Sequence, residues 1–353
     1  MEIKKLYDGW IETETPLTYH GWPTIANVGG DKLMAVCSGG RQRHVCPYGR
    51  VYLYTSSDGG RNWSKPQIIT DGPLDDRDAG IVTAPDGSLL VNYFTSIHFA
   101  DTYREREVPP EWGKVEKSIT LETLKKEHGF FLKRSTDGGK TWSEKILVPV
   151  NNVHGPTVLK DGSLFWVGRE LSHTYVQSCR LGNRVIAVRS TDNGLTWETV
   201  SEIRPPAGQD VRNYYEIHTV QAENGTIITQ IRNHCGCDDV DTWQALSFDN
   251  GHTWTVPRRV CYGFPTHLLN LSDGRILMCY GYRRKPYGNR CRVSEDNGIS
   301  WSEELVLSED GFSWDIGYPS TAQLNDGTLV TLWYQFRDST GLASLRCMGW
   351  RMA

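Results

Sequence analysis

The sequence predicts an all-β fold, a six-bladed β-propeller, and three observations predict it. Five octets of the form Ser-x-Asp-x-Gly-x-x-Trp run along the 353 residues, at Ser56–Trp63, Ser135–Trp142, Ser190–Trp197, Ser247–Trp254 and Ser294–Trp301. Six segments that read strand, Asp/Asn-Gly turn, strand interleave with them, starting at Trp22, Ala79, Gly155, Glu216, Pro265 and Tyr318. The 35 Gly, 13 Trp and 16 Tyr outweigh 5 Met, and no long helical period appears.

Each octet suits a tight hairpin. Its Asp side chain can accept backbone N–H bonds and its Gly supplies positive φ. The Trp three residues on has the bulk to wedge between neighbouring hairpins. Six hairpins, each followed by a further strand, make six blades at roughly 59 residues apiece. The last blade lacks an octet, and its third strand is expected at Leu342–Met352. The segment near Ile3–Tyr7 is expected to pair with it and close the ring, because an open propeller leaves an unpaired edge. The repeat runs end to end, so one domain is expected over 1–353. The one interruption lies in blade two at Ser96–Glu127, charged and Pro-containing, with an amphipathic helix expected at Lys117–Glu127. Such an insertion reads either as a lid or as an inert surface loop.

Charge and composition exclude several classes. A formal charge of −4 argues against nucleic acid or an anionic membrane as partner. No apolar run of about 18 residues exists for a membrane span. The start MEIKKLYDGW has no apolar signal core, so a cytoplasmic location is expected. Nine scattered cysteines then read as reduced and mostly buried. Cys235-Gly-Cys237 with His234 and Asp238 fits no standard zinc spacing, so neither a metal nor another cofactor is expected.

Inner strands of a propeller converge on its axis, so equivalent positions in different blades meet. Eight residues before the turn residues Asp86, Asn224 and Asp326 stand Asp78, Glu216 and Tyr318. A carboxylate, a carboxylate and a phenol replace apolar core residues there. Polar groups converging at an axis point to a site rather than to packing.

The octets resemble the Asp boxes of sialidases, where they lie on the rim away from the chemistry. The likeness extends to the axial residues. Tyr318-Pro319-Ser320…Asp326-Gly327 has the spacing of the sialidase nucleophile segment, and Glu216, sixteen residues before Arg232, matches the tyrosine's partner and a carboxylate-binding arginine. The resemblance implies a further arginine in blade five, for which Arg283, Arg284 and Arg290 compete, and Arg41 resembles an arginine just upstream of the acid. The family's first-strand arginine is missing, since Gly21-Trp22-Pro23 stands in its place. The loop after Arg41 offers His44 but no carboxylate.

Asp78 and His44 are therefore the expected acids, with His154 and His218 as weaker alternatives, and Arg169 a substitute for the missing arginine. Trp22, Trp314 and Tyr215 read either as sugar platforms or as blade packing. The implied chemistry is coherent. A substrate with a carboxylate on its anomeric carbon repels a carboxylate nucleophile, and a tyrosine activated by Glu216 avoids this. The expectation is an exo-glycoside hydrolase removing a terminal acidic sugar from an oligosaccharide or glycoconjugate. A uronate-glycan lyase and a non-catalytic glycan-binding propeller are the alternatives.

Overall fold

A computed structural model of the chain describes residues 1–11, 19–105, 108–234 and 240–352. Six antiparallel sheets follow one another around an axis. Blade one runs from its inner strand Tyr19–Asn27 through Leu33–Arg41 and Arg50–Ser56 to Gln67–Thr70. The inner strands of blades two, four, five and six are Asp75–Thr83, Tyr214–Gln221, Thr266–Asn270 and Gly317–Gln323. In blade three the inner strand is broken into Val150–Asn151 and Thr157–Val158.

The octets fold as their chemistry requires. In the first, Ser56 Oγ donates to Asp58 Oδ1 at 2.8 Å while accepting from Gly60 N, and Asn62 N donates to the same carboxylate oxygen. Gly60, Gly139, Gly194, Gly251 and Gly298 all have φ between 84° and 89°, and each of the three preceding Asn residues is also left-handed. The octet tryptophans fill seams between blades. Trp254 Nε1 donates to Ser201 of blade three, and Trp301 Nε1 donates to Gln244 of blade four.

The core follows the same logic. Six apolar clusters sit between the six pairs of neighbouring blades, and each buried Val, Leu or Ile in them contributes about 1.5–3 kcal/mol.

Ring closure is made by the first strand, Ile3–Trp10, which pairs antiparallel with Ala343–Met352 on the outside of blade six. Tyr7 lies directly opposite Gly349, and its ring fills the space a side chain would need: a Cβ at Gly349 would stand 2.0 Å from Tyr7 Cε1. The Tyr7 hydroxyl reaches on to the carbonyl of Gly59, tying the closing strand to the first octet.

The insertion holds three helices where the sequence predicts one: α1 (His98–Glu105), α2 (Glu111–Ser118) and α3 (Leu121–Glu127). Ile119 and Thr120 take extended backbone, and Thr120 Oγ1 caps α3 by accepting from Thr123 N, so the expected helix is split. The insertion is a buttress rather than an inert loop. Phe99 and Trp112 pack with Cys46, and Trp112 Nε1 donates to Gln42 at 2.7 Å. This apolar knot braces the loop that carries His44.

Gly349→Ala is expected to lower stability by about 1–3 kcal/mol through overpacking against Tyr7. In a Tyr7→Ala background most of that penalty should vanish. Equilibrium unfolding of the double-mutant cycle measures it, and an equal penalty in both backgrounds contradicts this closure.

Candidate active site

A cavity of about 880 Å³ opens on the axis at the end where the inner strands begin. Four inner strands carry a left-handed residue at the same place: Trp22 (φ 57°), Asp78 (48°), Glu216 (41°) and Tyr318 (54°). Pairing with the next strand slips at each of these points. A bulge of this kind turns a side chain away from the sheet face, here toward the axis. A non-glycine residue in this region costs about 1–3 kcal/mol, so surrounding packing must hold it there.

Asp78, Glu216, Tyr318 and Arg232 all line the cavity. The Tyr318 hydroxyl donates to Glu216 Oε1. Arg232 Nη1 donates to Glu216 Oε2 at 2.5 Å and stands 3.3 Å from the Tyr318 oxygen, its guanidinium lying over the Phe264 ring. Burial pushes the Glu216 carboxyl up, but Arg232 outweighs it and holds the group below its ordinary value. Burial, reinforced by the Glu216 charge, pushes the Tyr318 phenol well above its ordinary value. The ground state is therefore a neutral phenol hydrogen-bonded to an ionised glutamate.

Asp78 is the contrasting carboxyl. Burial raises it to about 7, with Arg77 opposing and Glu216 adding to the shift, and its Oδ1 is buried without a hydrogen-bond partner. Two carboxyls in one cavity are thus shifted in opposite directions, Glu216 down and Asp78 up to about 7.

His44 stands at the mouth with its side chain 40 % exposed. Its Nδ1 lies 3.1 Å from Asp315 Oδ1 and 3.0 Å from the Tyr19 hydroxyl. The Asp315 acceptor favours the Nδ1–H tautomer and leaves Nε2 as the basic nitrogen. Burial lowers the imidazole against the pull of Asp315, which keeps it neutral at pH 7. Asp315 also accepts from Tyr19 and Tyr334, at 2.9 and 2.7 Å.

Of the blade-five arginines, Arg283 lines the cavity, donating to the Ile316 carbonyl and the Tyr334 hydroxyl. Arg290 does not: it is buried behind Tyr282, donating to the carbonyls of Asn289 and Ser308 with Glu304 beside it. Arg284 lies on the Tyr262 ring.

Three further expectations are corrected. Arg41 is wholly buried in a two-pronged ion pair with Asp75 and has no face to substrate. Trp22 is 2 % exposed, so it cannot stack a sugar; its ring supports Arg77 on the cavity side and also meets Arg41. Arg169 lines the cavity but turns its donors to backbone carbonyls of Gly182, Val211, Arg212 and Tyr214, and does not serve as an anion clamp. Trp314, 58 % exposed, and Tyr215 line the cavity.

His154 and His218 are not cavity-lining. They form a buried axial cluster with His267 at ring separations of 4.8–5.2 Å, His218 stacked on His267 and His154 edge-on to both. Nδ1 of His218 and of His267 accepts from a backbone N–H, so each Nε2 carries the proton and is not a metal ligand. Of the Cys235–Cys237 cluster, His234 lines the cavity, and Cys235, Cys237 and Asp238 lie outside the described residues.

Two functional side chains escape sequence reasoning. Asp315 precedes the inner strand of blade six, and its partners are distant in sequence. Arg77 sits beside Asp78 in the DDRDAG run, where the neighbouring axial carboxylate is its signal in the sequence.

Asp78 has a stability consequence. Its folded pKa of about 7 exceeds the roughly 3.9 of an unfolded Asp, so the folded state binds its proton more tightly. The stability this contributes is full below about pH 4 and is lost as pH rises through about 7. Asp78→Asn is expected to raise Tm by several degrees at pH 8 and to leave it nearly unchanged at pH 4. Calorimetric scans at the two values check this.

Residues 51–331 match the family described as the BNR repeat-like domain. The chain is 24 % identical over 325 residues to a sialidase of Bacteroides fragilis, covering 83 % of this chain and 54 % of that one. It is 27 % identical over 200 residues to a sialidase of Micromonospora viridifaciens, covering 49 % of this chain and 31 % of the other. The chain thus spans about half the length of its Bacteroides relative and less of the second. Among solved structures, a protein of unknown function from Dyadobacter fermentans superposes with a TM-score of 0.80 at 22 % identity, covering 99 % of both chains. The NanB sialidase of Streptococcus pneumoniae gives 0.67 at 12 % identity, over 100 % of this chain and 70 % of that one. The intramolecular trans-sialidase of Ruminococcus gnavus gives 0.64 at 13 %, over 94 % of each. These likenesses carry the fold. With the family match over most of its length, the chain belongs to the BNR repeat-like family, on the six-bladed propeller that sialidases share.

Proposed function

We propose that this protein is a retaining exo-glycoside hydrolase that removes a terminal acidic sugar, sialic acid or a close relative, using Tyr318 as nucleophile. The observation that carries the reading is the hydrogen-bonded set Tyr318–Glu216–Arg232, with Asp78 near neutrality in the same cavity. The relatives named as sialidases lend it support.

Glu216, ionised and bonded to the phenol, takes its proton as the Tyr318 oxygen attacks the anomeric carbon. A neutral nucleophile meets no repulsion from a carboxylate on that carbon. Arg232 holds Glu216 in line and presents positive charge to the substrate anion. Asp78, protonated in a large fraction at pH 7, donates to the leaving oxygen. A water that Asp78, now ionised, deprotonates then attacks the anomeric carbon; the bond to Tyr318 breaks as Glu216 returns the proton to its oxygen, and the configuration is retained.

One observation favours a second reading. The neutral His44 imidazole, oriented by Asp315 at the cavity mouth, suits a base that removes a proton beside a uronate carboxylate. A lyase of that kind yields an unsaturated, ultraviolet-absorbing sugar; a hydrolase does not.

Release of 4-methylumbelliferone from its sialoside tests the proposal. Tyr318→Phe is expected to reduce turnover by about 10³-fold or more, in proportion to the covalent step it removes. Turnover should fall above about pH 7 as Asp78 ionises. Asp78→Asn should lose that limb and be impaired by about 10²–10⁴-fold on sialyllactose, a poor leaving group, but far less on the umbelliferyl substrate. Equal impairment on both substrates contradicts Asp78 as the acid.

A further inference from the structure

Trp22 stands where the resemblance places an arginine, yet the cavity is not short of positive charge. Arg77 precedes Asp78 in the bulged inner strand of blade two and lines the cavity while 8 % exposed. Its guanidinium lies over the Trp22 ring at 4.4 Å. Among the described residues its hydrogen bonds all leave from Nη1, to the His44 carbonyl at 3.3 Å and to Asp75 Oδ2 at 3.5 Å. Both are long.

Arg77 has a counter-charge only in part: Asp75 Oδ2 lies 3.5 Å from its Nη1, at the far edge of an ion pair. Asp75 is already gripped through both oxygens by Arg41. Asp78 holds its proton to about 7, so much of it is uncharged at neutral pH. A nearly buried guanidinium that shares its one close carboxylate with a second arginine, and bonds through Nη1 alone, keeps donors and charge for a ligand anion. Arg283 is less committed still: its bonds go to a carbonyl and a phenol, and among the described residues no carboxylate is paired to it. Arg77 donates to the His44 carbonyl, and Arg283 donates to Tyr334, whose hydroxyl bonds the Asp315 that holds His44, so both cations lie on the same side of the cavity. Arg232, in contrast, is tied to Glu216.

We propose that Arg77, seated on Trp22, supplies the anion contact that blade one lacks, and that Arg77 and Arg283 together grip the substrate's carboxylate. This rests on the acidic-sugar reading above and deepens it. The Trp22 indole acts as the platform that fixes the guanidinium plane, a positioning role through cation–π contact. The geometry of a planar fork facing a carboxylate also predicts that Lys cannot replace Arg77.

The test is calorimetric binding of N-acetylneuraminate, its methyl ester and glucuronate to the whole chain, with umbelliferyl-sialoside kinetics alongside. Arg77→Met is expected to weaken N-acetylneuraminate binding by about 10-fold or more, the loss of one charge-assisted contact. It should reduce the preference for acid over ester by a similar factor, Arg283 keeping the remainder, and raise KM more than it lowers kcat. Arg77→Lys should recover only part of the loss. Trp22→Leu, which removes the platform and leaves the charge, should fall between them, and thermal unfolding of each variant reports whether the fold is retained.

Wild-type turnover with an unchanged acid-over-ester preference in Arg77→Met overturns the Arg77 proposal and leaves the hydrolase reading standing. Arg77-dependent binding of either acid without turnover overturns the hydrolase reading and supports Arg77. Binding of neither acid by the wild type overturns both.

Discussion

Left-handed backbone at Trp22, Asp78, Glu216 and Tyr318 is the constraint on which the site depends. An undistorted strand would alternate its side chains between the two faces of the blade and send none along the axis. The bulge breaks that alternation once per strand, and the axial residue is then held by its neighbours rather than by its own backbone preference. Seams of apolar side chains on both sides of every blade supply the rigidity this needs. Stability made along the repeat is thus used to maintain strain at the centre, which is where functional sites store it.

Electrostatics divides the labour inside the cavity. Glu216 is a partly buried carboxyl and Asp78 a buried one, but Glu216 has Arg232 at hydrogen-bond distance and Asp78 has an oxygen with no partner. Glu216 is therefore ionised at neutral pH while Asp78, at about 7, still holds much of its proton. A second level surrounds them: Asp315 gathers Tyr19, Tyr334 and His44, and the helical insertion props the His44 loop through Trp112. The insertion reaches the chemistry through packing on that loop.

Much of the fold was legible in the sequence because its signals are local. An octet carries its own hydrogen bonds, as Ser56, Asp58 and Gly60 show, and the eight-residue offset from each turn located three of the four axial residues. What was not legible depends on direction. Arg41 and Arg290 sit at plausible chain positions, but their guanidinium groups turn inward to Asp75 and to backbone carbonyls. Arg169 faces the cavity with its donors already engaged. Strand alternation would put Arg77 on the face opposite Asp78, whereas the slip between Arg77 and Gly80 lets both line the cavity. Trp22 reads as an exposed platform only if the cation lying on it is unknown.

The account turns on Tyr318 forming a bond to the sugar. Incubation with 2,3-difluoro-N-acetylneuraminic acid, which slows breakdown of a glycosyl–enzyme, followed by mass spectrometry of the digested protein, tests this most directly. The account predicts one sugar adduct per chain, on the peptide and side chain of Tyr318, appearing as activity is lost. An adduct on another residue, or an enzyme that turns over sialosides and never forms one, would contradict it.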